Sequence, residues 1–221
     1  MRLLFEDIIG QKAPQLTVAC ITADIVNEPT DETLWEEITQ TSQRLKDTLA
    51  IESVNKCPAI LATRRAYKDF GKDPNRYRPS AEALTRRAVK GLDLYRSDSV
   101  VDLINLVSLE TGHSIGAFDR DKINGDTLTL GVGRANEPYE AIGRGALNIE
   151  GLPVWRDSTG GVGTPTSDNE RTKLSHTTRR LVVTVNCYGD YPSALDTSQR
   201  IEKLLVQYAS ATNIDVKIYR P

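Results

Sequence analysis

The character of the sequence changes near residue 113, and this change limits the folds that the chain can adopt. Before that point, apolar residues keep helical spacing in segments that end at Gly71, Gly91 and Gly112. A glycine just past the last turn is typical of a helix that ends with one residue in the left-handed backbone conformation. After that point, short apolar runs such as TLTLGV and LVVTVNCYG alternate with glycine-containing turns, which predicts short strands. Helices followed by strands favour an α+β fold over regular alternation of strands and helices.

The ends of the chain complete this order. Residues 16–27 are rich in β-branched side chains and predict a strand ahead of the helices. Asp31, Ser80 and Ser99 precede helical patterns and are predicted N-caps. Residues 193–210 predict a last helix, and residues 215–220 a last strand. With no internal repeat and no low-complexity segment, residues 1–221 are expected to form one domain.

The composition excludes several classes of protein. The net charge is −2, from 28 basic and 30 acidic residues, which argues against a wholly positive surface but permits a local basic patch. The N-terminal segment is interrupted by Glu6 and Asp7 and does not resemble a secretory signal. No apolar run approaches the roughly 20 residues of a membrane-spanning helix. We therefore expect a cytoplasmic protein that has no membrane partner.

Cysteine and histidine are too sparse to suggest a metal site or a cofactor. The cysteines form no CxxC pair, which favours free thiols in a reducing compartment; they are Cys20, Cys57 and Cys187. The two histidines are His113 and His176, and no cysteine is placed to help them bind a metal. A Cys–His or Ser–His nucleophile pair remains open, although nothing in the sequence around these residues supports one. We expect no metal and no cofactor.

One segment is strongly basic. Between residues 64 and 90 there are nine basic residues and only three acidic ones. Arg76 and Arg78 flank Tyr77 in a proline-bounded loop, so the two arginines are candidates for phosphate binding and Tyr77 for stacking on a base. Two other interpretations remain open. The segment is either a solvated helical face or a set of arginines paired with the acidic helix near Glu36 and Glu37.

A second segment, GGVGTPTSDNERT, combines glycines with hydroxyl, carboxylate and amide groups. Thr164, Ser167, Asp168 and Asn169 are candidates for orienting a water molecule and a polar ligand. The segment lacks the Gly-Lys-Ser/Thr ending of a phosphate-binding Walker loop. The alternative is a structured turn in which Asp168 and Asn169 bond their own backbone.

Several segments, read in order, resemble one family. Residues 100–125, VVDLINLVSLETGHSIGAFDRDKING, are similar to a stretch of the phenylalanyl-tRNA synthetase β-chain. The matching residues are Val100, Val101, Asp102, Asn105, Gly112, Ala117, Phe118, Asp119, Lys122, Ile123 and Gly125. A compatible order is kept by Asp157, Gly160, Gly161 and Thr178, and DPNRYRPSAEAL resembles free-standing relatives of the same domain. The resemblance is strongest over residues 60–190 and identifies a B3/B4 domain, the editing module of the synthetase.

The resemblance implies an α+β fold of the B3/B4 type, with a β-sandwich-like sheet region flanked by helices. It implies recognition of tRNA or an aminoacyl-tRNA end, and hydrolysis of a mischarged aminoacyl ester in trans. Aminoacylation is not expected, because the chain lacks room for a synthetase core and has no ATP-binding signature. Two positions depart from the family pattern. Gly116 replaces a histidine, and Thr184 replaces the acid that recognises the tyrosine hydroxyl, so specificity for tyrosine is not implied.

These observations assign provisional roles. The water- or ligand-positioning groups are predicted to be Thr164, Ser167, Asp168 and Asn169. The residues predicted to contact substrate or RNA are Arg76, Tyr77, Arg78, Asn105, Asp157 and Arg171, of which Asn105 has a structural alternative as the cap of a neighbouring loop. No DNA partner is expected.

Two other functions remain open. The chain could be a non-catalytic binder of a free amino acid or small metabolite, with Arg78 holding a carboxylate through two hydrogen bonds. It could also be a structural or partner-binding protein whose polar loops are well-capped turns.

Overall fold

A computed structural model describes residues 1–189 and 192–221. The strands of this part of the chain are β1 (Arg2–Phe5), β2 (Thr17–Asp24), β3 (Ile115–Asp119), β4 (Thr127–Val132), β5 (Glu140–Ala141), β6 (Gly145–Ala146), β7 (Pro153–Arg156), β8 (Gly161–Gly163), β9 (Arg180–Cys187) and β10 (Thr212–Tyr219). Its α-helices are α1 (Asp7–Lys12), α2 (Glu32–Thr48), α3 (Pro58–Asp69), α4 (Ser80–Val89), α5 (Ser99–Thr111) and α6 (Ala194–Ala209). Most helices precede residue 113 and most strands follow it, so the predicted α+β class is confirmed.

Two four-stranded sheets form the centre of the fold. The first, which we name the β2 sheet, has the order β10-β2-β9-β3 and is antiparallel throughout. The second, the β4 sheet, has the order β1-β4-β7-β8 and contains one parallel pair, β1 with β4. A separate two-stranded ribbon joins β5 to β6. The strand β3 is therefore an edge of the β2 sheet.

The β2 sheet is covered on both faces. Side chains of a strand alternate between its faces, so Ala19 and Ile21 pack against α2, α5 and α6, while Val18 and Cys20 face the β4 sheet. Trp155 on β7 crosses the space between the sheets and donates from Nε1 to Oδ1 of Asn186, at 3.2 Å. The result is three layers, one of helices and two of strands, which confirms the predicted sandwich-like centre flanked by helices.

The predicted helix ends are confirmed in part. Asp31 caps α2 by accepting a hydrogen bond from the Thr33 N–H, and Gly112 ends α5 with a φ of 79°. The predicted caps Ser80 and Ser99 are wrong by one residue, because both are already helical. Asp98 caps α5 instead by accepting from the Val101 N–H, and the Ser99 hydroxyl donates to Oδ1 of Asn27. None of the described helices is long and apolar enough to cross a membrane.

Candidate functional site

A cleft of about 950 Å³ lies where the helical layer meets the edge of the β2 sheet. We refer to it as the cleft. Its walls are α4, α5, the edge strand β3 and the loop of residues 164–168, with further side chains from residues 142–144 and 173–174. The basic segment and the Ser-Asp-Asn segment, which lie far apart in the sequence, therefore line one cavity. Arg78 comes from the first segment and Asp168 from the second.

One face of α5 forms a wall of the cleft. Val101, Ile104, Asn105 and Ser108 recur at the spacing that places residues on one side of a helix. Within the described residues, the side chains of Asn105 and Ser108 make no hydrogen bond to protein. They are thus free to bond a ligand. Asp102 does not share this role, because its carboxylate accepts from the Thr30 hydroxyl and the Ser97 N–H inside the fold.

The outer edge of β3 forms the second wall. This strand pairs with β9 on one side only, so alternate backbone N–H groups face the cleft. One of them, the N–H of Ala117, donates to Oδ2 of Asp168 at 3.1 Å. The side chain of Ile115 lies one pleat away and also lines the cleft. An unpaired strand edge is thereby closed in part by the loop that carries Asp168.

The loop of residues 164–168 is held by hydrogen bonds within the protein. The Thr164 hydroxyl accepts from the N–H groups of Thr166 and Ser167, each at 3.1 Å. From the opposite side, the Tyr139 hydroxyl donates to the Ser167 carbonyl at 2.7 Å, and the Tyr67 hydroxyl contacts that of Thr166 at 2.9 Å. These bonds fix the backbone on both sides of Asp168.

Asp168 is the chemically distinctive group of the cleft. Its side chain is half-buried, and no basic group of the described residues forms an ion pair with it. Burial raises the pKa of the Asp168 carboxyl to about 7, against the smaller opposing effect of the Ala117 N–H. The group can therefore be either ionised or protonated near neutral pH.

Two glycines make room for this arrangement. A Cβ at Gly163 would lie 2.5 Å from the Phe118 ring and 2.8 Å from Oδ1 of Asp168. A Cβ at Gly116 would lie 2.7 Å from the same ring and 3.0 Å from the hydroxyl of Thr184. The Phe118 ring thus occupies the space beside Gly116. Gly116 and Thr184, the two positions expected from the sequence to depart from the family pattern, lie at this contact. The Thr184 hydroxyl is buried without a partner in the described residues.

Basic side chains line the cleft, and most of them are exposed at its mouth. They are Arg78, Arg86, Arg87, Lys90, Arg144 and Lys173. The acid that organises the basic segment is Glu82 rather than Glu36 or Glu37: it is 1% exposed and lies 2.8 Å from Arg64 and 2.9 Å from Arg86. Arg78 is 3.6 Å from Glu82 and its side chain remains 46% exposed. Part of the basic segment is therefore neutralised inside the fold, while Arg78, Arg87 and Lys90 offer positive charge to the cleft.

Of the residues predicted from the sequence, Arg78, Asn105, Thr164, Ser167 and Asp168 line the cleft. The others lie outside its lining. Arg76 is exposed, and Tyr77 is covered by the ammonium of Lys72, 3.7 Å from the ring centroid. The side chain of Asn169 caps a 3-10 turn by accepting from the Arg171 N–H.

Asp157 and Arg171 pair with each other. Both guanidinium bonds measure 2.9 Å, and Asp157 also accepts N–H bonds from Asn124, Thr159 and Gly160. Although burial opposes ionisation, these bonds hold the pKa of the Asp157 carboxyl below its usual range. The pair fixes the turn after β7, and the geometry gives neither residue a contact in the cleft.

Sequence reasoning missed an aromatic group at the mouth of the cleft. Tyr95 is 77% exposed, and the Arg87 guanidinium lies 4.4 Å from its ring centroid. An exposed aromatic ring beside a basic group can stack on a nucleobase. The detectable signal was a lone tyrosine in the polar segment GLDLYRSD. Ser108 was also missed, although it is a polar residue inside the apolar run of α5.

The open question of a Cys–His pair has a structural answer. The Sγ of Cys187 lies 3.5 Å from Nε2 of His113, and both residues are buried outside the lining of the cleft. Burial raises the pKa of the Cys187 thiol to about 12 and lowers the pKa of His113. Both groups are therefore neutral, and a thiol in this state is a poor nucleophile. The described residues contain no group of three side chains suited to a metal ion.

Comparison with known proteins bears on the family. The B3/4 domain family matches residues 62–209, more than half of the chain. The chain is also similar to an N-terminal fragment of the phenylalanyl-tRNA synthetase β-subunit from Pyrococcus horikoshii, with 14% identity and a TM-score of 0.47. That likeness covers 98% of this chain and 50% of the fragment, so the chain spans half of the fragment's length. No curated protein matches the chain. The family therefore follows from the match to residues 62–209.

Proposed function

Because the chain belongs to the B3/4 domain family and its cleft joins basic side chains to a polar loop, we propose that it binds the aminoacyl end of a tRNA and hydrolyses mischarged aminoacyl esters in trans. The observation that carries the proposal is the meeting of Arg78 and Asp168 in one cavity. Basic groups at the mouth suit the phosphates of an RNA, and the enclosed interior suits the amino acid attached to its end. Such a protein would act in the cytoplasm.

The mouth of the cleft would hold the nucleic acid. Arg78, Arg87 and Lys90 offer positive charge to the phosphates near the 3′ end, and charge neutralisation of this kind dominates RNA affinity. Tyr95 offers a ring for the terminal base, and its partner Arg87 would add a second flat surface. The interior behind them, lined by Ile104, Ile115 and other apolar side chains, would take the side chain of the amino acid.

The proposed reaction is attack of a water oxygen on the acyl carbon. The bond from that carbon to the ribose oxygen breaks, the water proton passes to the ribose oxygen, and a free amino acid and tRNA result. Catalysis of this kind needs orientation and charge stabilisation more than a side-chain nucleophile. Thr164, Ser167 and Asp168 line the ligand space. The Thr164 hydroxyl and the Asn169 side chain also accept backbone N–H bonds that hold the loop in shape.

A second function is supported by the charge distribution. The cleft contains an unpaired carboxylate and exposed guanidinium groups, which together suit a free amino acid with its two opposite charges. Arg78 would then hold the carboxylate of the ligand. Salt separates the two functions, because RNA binding weakens steeply with added salt and binding of a small zwitterion barely responds.

The direct test is deacylation. The protein is incubated with a panel of tRNAs carrying cognate and non-cognate amino acids, and loss of the ester is followed against a blank without protein. We expect selective loss for some mischarged species and a strong reduction with Asp168→Asn. Binding of the panel without ester loss would leave the non-catalytic function, and neither binding nor ester loss would refute the proposal.

A further inference from the structure

We infer that Asp168 binds a free ammonium group of the ligand, so that the cleft accepts α-amino acid units and rejects those whose nitrogen is acylated. The inference rests on the proposed function, because it names the group by which the cleft would recognise an aminoacyl end. It differs from the function itself in assigning the Asp168 charge to holding the substrate.

The first argument is that Asp168 lacks the cation that two other shielded acids, Glu82 and Asp157, have. Glu82 contacts Arg64 and Arg86, and Asp157 contacts Arg171. Among the described residues, only the neutral N–H of Ala117 reaches the carboxylate of Asp168. A carboxylate away from water is costly unless it is paired. The Asp168 carboxylate is therefore available to a cationic group of a ligand that enters the cleft.

The second argument is that the cleft carries charges of both signs on different walls. Asp168 lies on the loop against β3, whereas Arg78 and Arg87 lie on the segment around α4. A ligand that is negative throughout would be attracted by the guanidinium groups and repelled by Asp168. A ligand with an ammonium group at one end and phosphates at the other satisfies both. An aminoacyl-tRNA end has both kinds of charge.

The third argument is the supply of acceptors. An ammonium group carries three N–H donors, and Asp168 satisfies only part of them. The Asn105 and Ser108 side chains line the same cleft and have no hydrogen-bond partner in the described residues. Their oxygens can accept the remaining donors. An acylated nitrogen has one donor, no charge and a bulky substituent, so it would leave Asp168 desolvated and unpaired.

The ionisation of Asp168 agrees with this role. Its carboxyl is only partly ionised at neutral pH in the empty cleft, because burial raises its pKa to about 7. A bound ammonium would favour the ionised form, so binding strengthens as the pH rises from 5 toward 7. It weakens again at higher pH, because an α-ammonium has an ordinary pKa of about 7.7 to 8.0 and then loses its own proton. The ionisable groups around this loop are the buried Tyr67 and Tyr139, the capping carboxylate of Asp98 and the basic side chains at the mouth. Both phenols stay neutral in this range because burial raises their pKa.

The first experiment uses small probes and requires no RNA. Binding of the amides of glycine, leucine, phenylalanine and tyrosine to the wild-type protein is measured by calorimetry, beside their analogues without the amino group. The amides keep the ammonium and carry no carboxylate, so they isolate the proposed contact. We expect at least one amide to bind at least tenfold more tightly than its analogue. Equal binding of the two, or binding of neither, would overturn the inference.

Variants localise the effect. Asp168→Asn keeps the shape of the side chain and an oxygen for the Ala117 N–H, and should remove the tenfold preference. Asp93→Asn is the matched control, because Asp93 is an exposed carboxylate between two residues that line the cleft, Leu92 and Tyr95. It should leave the preference unchanged. An equal loss in both variants would mean that a general negative field, and not Asp168, selects the ammonium.

A second experiment separates this inference from the proposed function. Aminoacyl-tRNAs of the panel are compared with the same species after acetylation of the amino group. If the free forms bind and the acetylated forms bind at least tenfold more weakly, the inference and the RNA-binding part of the proposed function both stand. If both forms bind equally, the function stands and the inference fails. If neither form binds while the amides do, the tRNA function fails and the ammonium site remains.

Discussion

A half-buried carboxylate without a cation raises the free energy of the folded state when it ionises. Asp168 has an ordinary pKa of 3.8 in the unfolded chain and a pKa of about 7 in the fold. Well below pH 3.8 it is protonated in both states and does not change the free energy of unfolding. Between pH 4 and 7 the unfolded chain loses the proton first, so folding stability falls as the pH rises.

The variant Asp168→Asn should therefore be more stable than the wild type, by an amount that grows with pH. Asn is neutral at every pH, so the difference in the free energy of unfolding should increase from pH 4 to 7 and level off near pH 8, by about 2 to 4 kcal/mol. Chemical denaturation of both proteins at pH 4.5 and pH 8 measures it. A difference that stays constant across this range would show that Asp168 does not ionise against the fold.

Close packing at Gly163 yields a second prediction. Gly163→Ala would press a methyl group against Phe118 and should destabilise the protein by about 1 to 3 kcal/mol. Gly10→Ala is the matched control, because Gly10 lies inside α1 and its new Cβ would meet only Pro221, at an ordinary 3.7 Å. Alanine there should stabilise the helix by about 0.5 to 1 kcal/mol. Thermal or chemical unfolding measures the stability of both variants. A Gly163→Ala protein as stable as the wild type would contradict the close contact between residue 163 and Phe118.

At the scale of elements, α3 and α4 are joined by one buried acid. Glu82 on α4 bonds Arg64 on α3, and Arg64 also donates to the Pro74 carbonyl and to Asn75 in the loop between the helices. This network sets the position of α4, and with it the basic side chains at the mouth of the cleft. It explains why a segment so rich in arginine can fold compactly.

Removal of the Glu82 charge should destabilise the folded protein strongly. Glu82→Gln leaves Arg64 buried without its counter-ion, and breaking one partner of a buried pair costs about 3 to 5 kcal/mol. Glu36→Gln removes a similar charge from an exposed position on α2 and should change stability by less than about 0.5 kcal/mol. Urea denaturation of the two variants gives the comparison. Similar losses in both would show that the Glu82 pair adds no specific stability.

The helices and strands were largely predictable from the sequence, whereas the contacts between elements distant in the chain were not. Apolar spacing and Gly112 located α5 because helix formation is a local property. The caps at Ser80 and Ser99 failed by one residue, since a serine on either side of a helix start gives the same local pattern. The contact between Ala117 and Asp168 was beyond reach, because it depends on β3 pairing with β9 and on the loop folding over the strand edge.

At the scale of the whole molecule, basic and acidic side chains are distributed unevenly over the surface, which the composition alone does not show. The chain is slightly acidic overall, yet six basic side chains and two carboxylates line the cleft. Even a correct count of basic residues in segment 64–90 overstated the free charge, because Arg64 and Arg86 are committed to Glu82. The predicted β-sandwich centre was inferred from the resemblance, and its three layers bring these elements to one edge.

RNA affinity should depend on this local field. Arg78→Ala should weaken tRNA binding roughly three- to tenfold at 0.1 M salt, for all sequences alike, and reduce the slope of log affinity against log salt by about one unit. Arg2→Ala is the control, because exposed Arg2 lies on β1, at the opposite end of the β4 sheet from β8. Filter binding over a salt series tests both. Unchanged binding in a folded Arg78→Ala protein would exclude this side chain from the RNA contact.

The order of strands in the β2 sheet has a consequence for how the protein is made. β2 is synthesised early, yet its neighbour β9 pairs Asp24 with Arg180 and β3 also relies on β9 for its position. The helices between them can form as they leave the ribosome, but the strand edge behind Asp168 has no support until β9 has emerged. A nascent chain would thus contain its basic segment before it has a binding site, and the cleft would form only once β9 had joined the sheet.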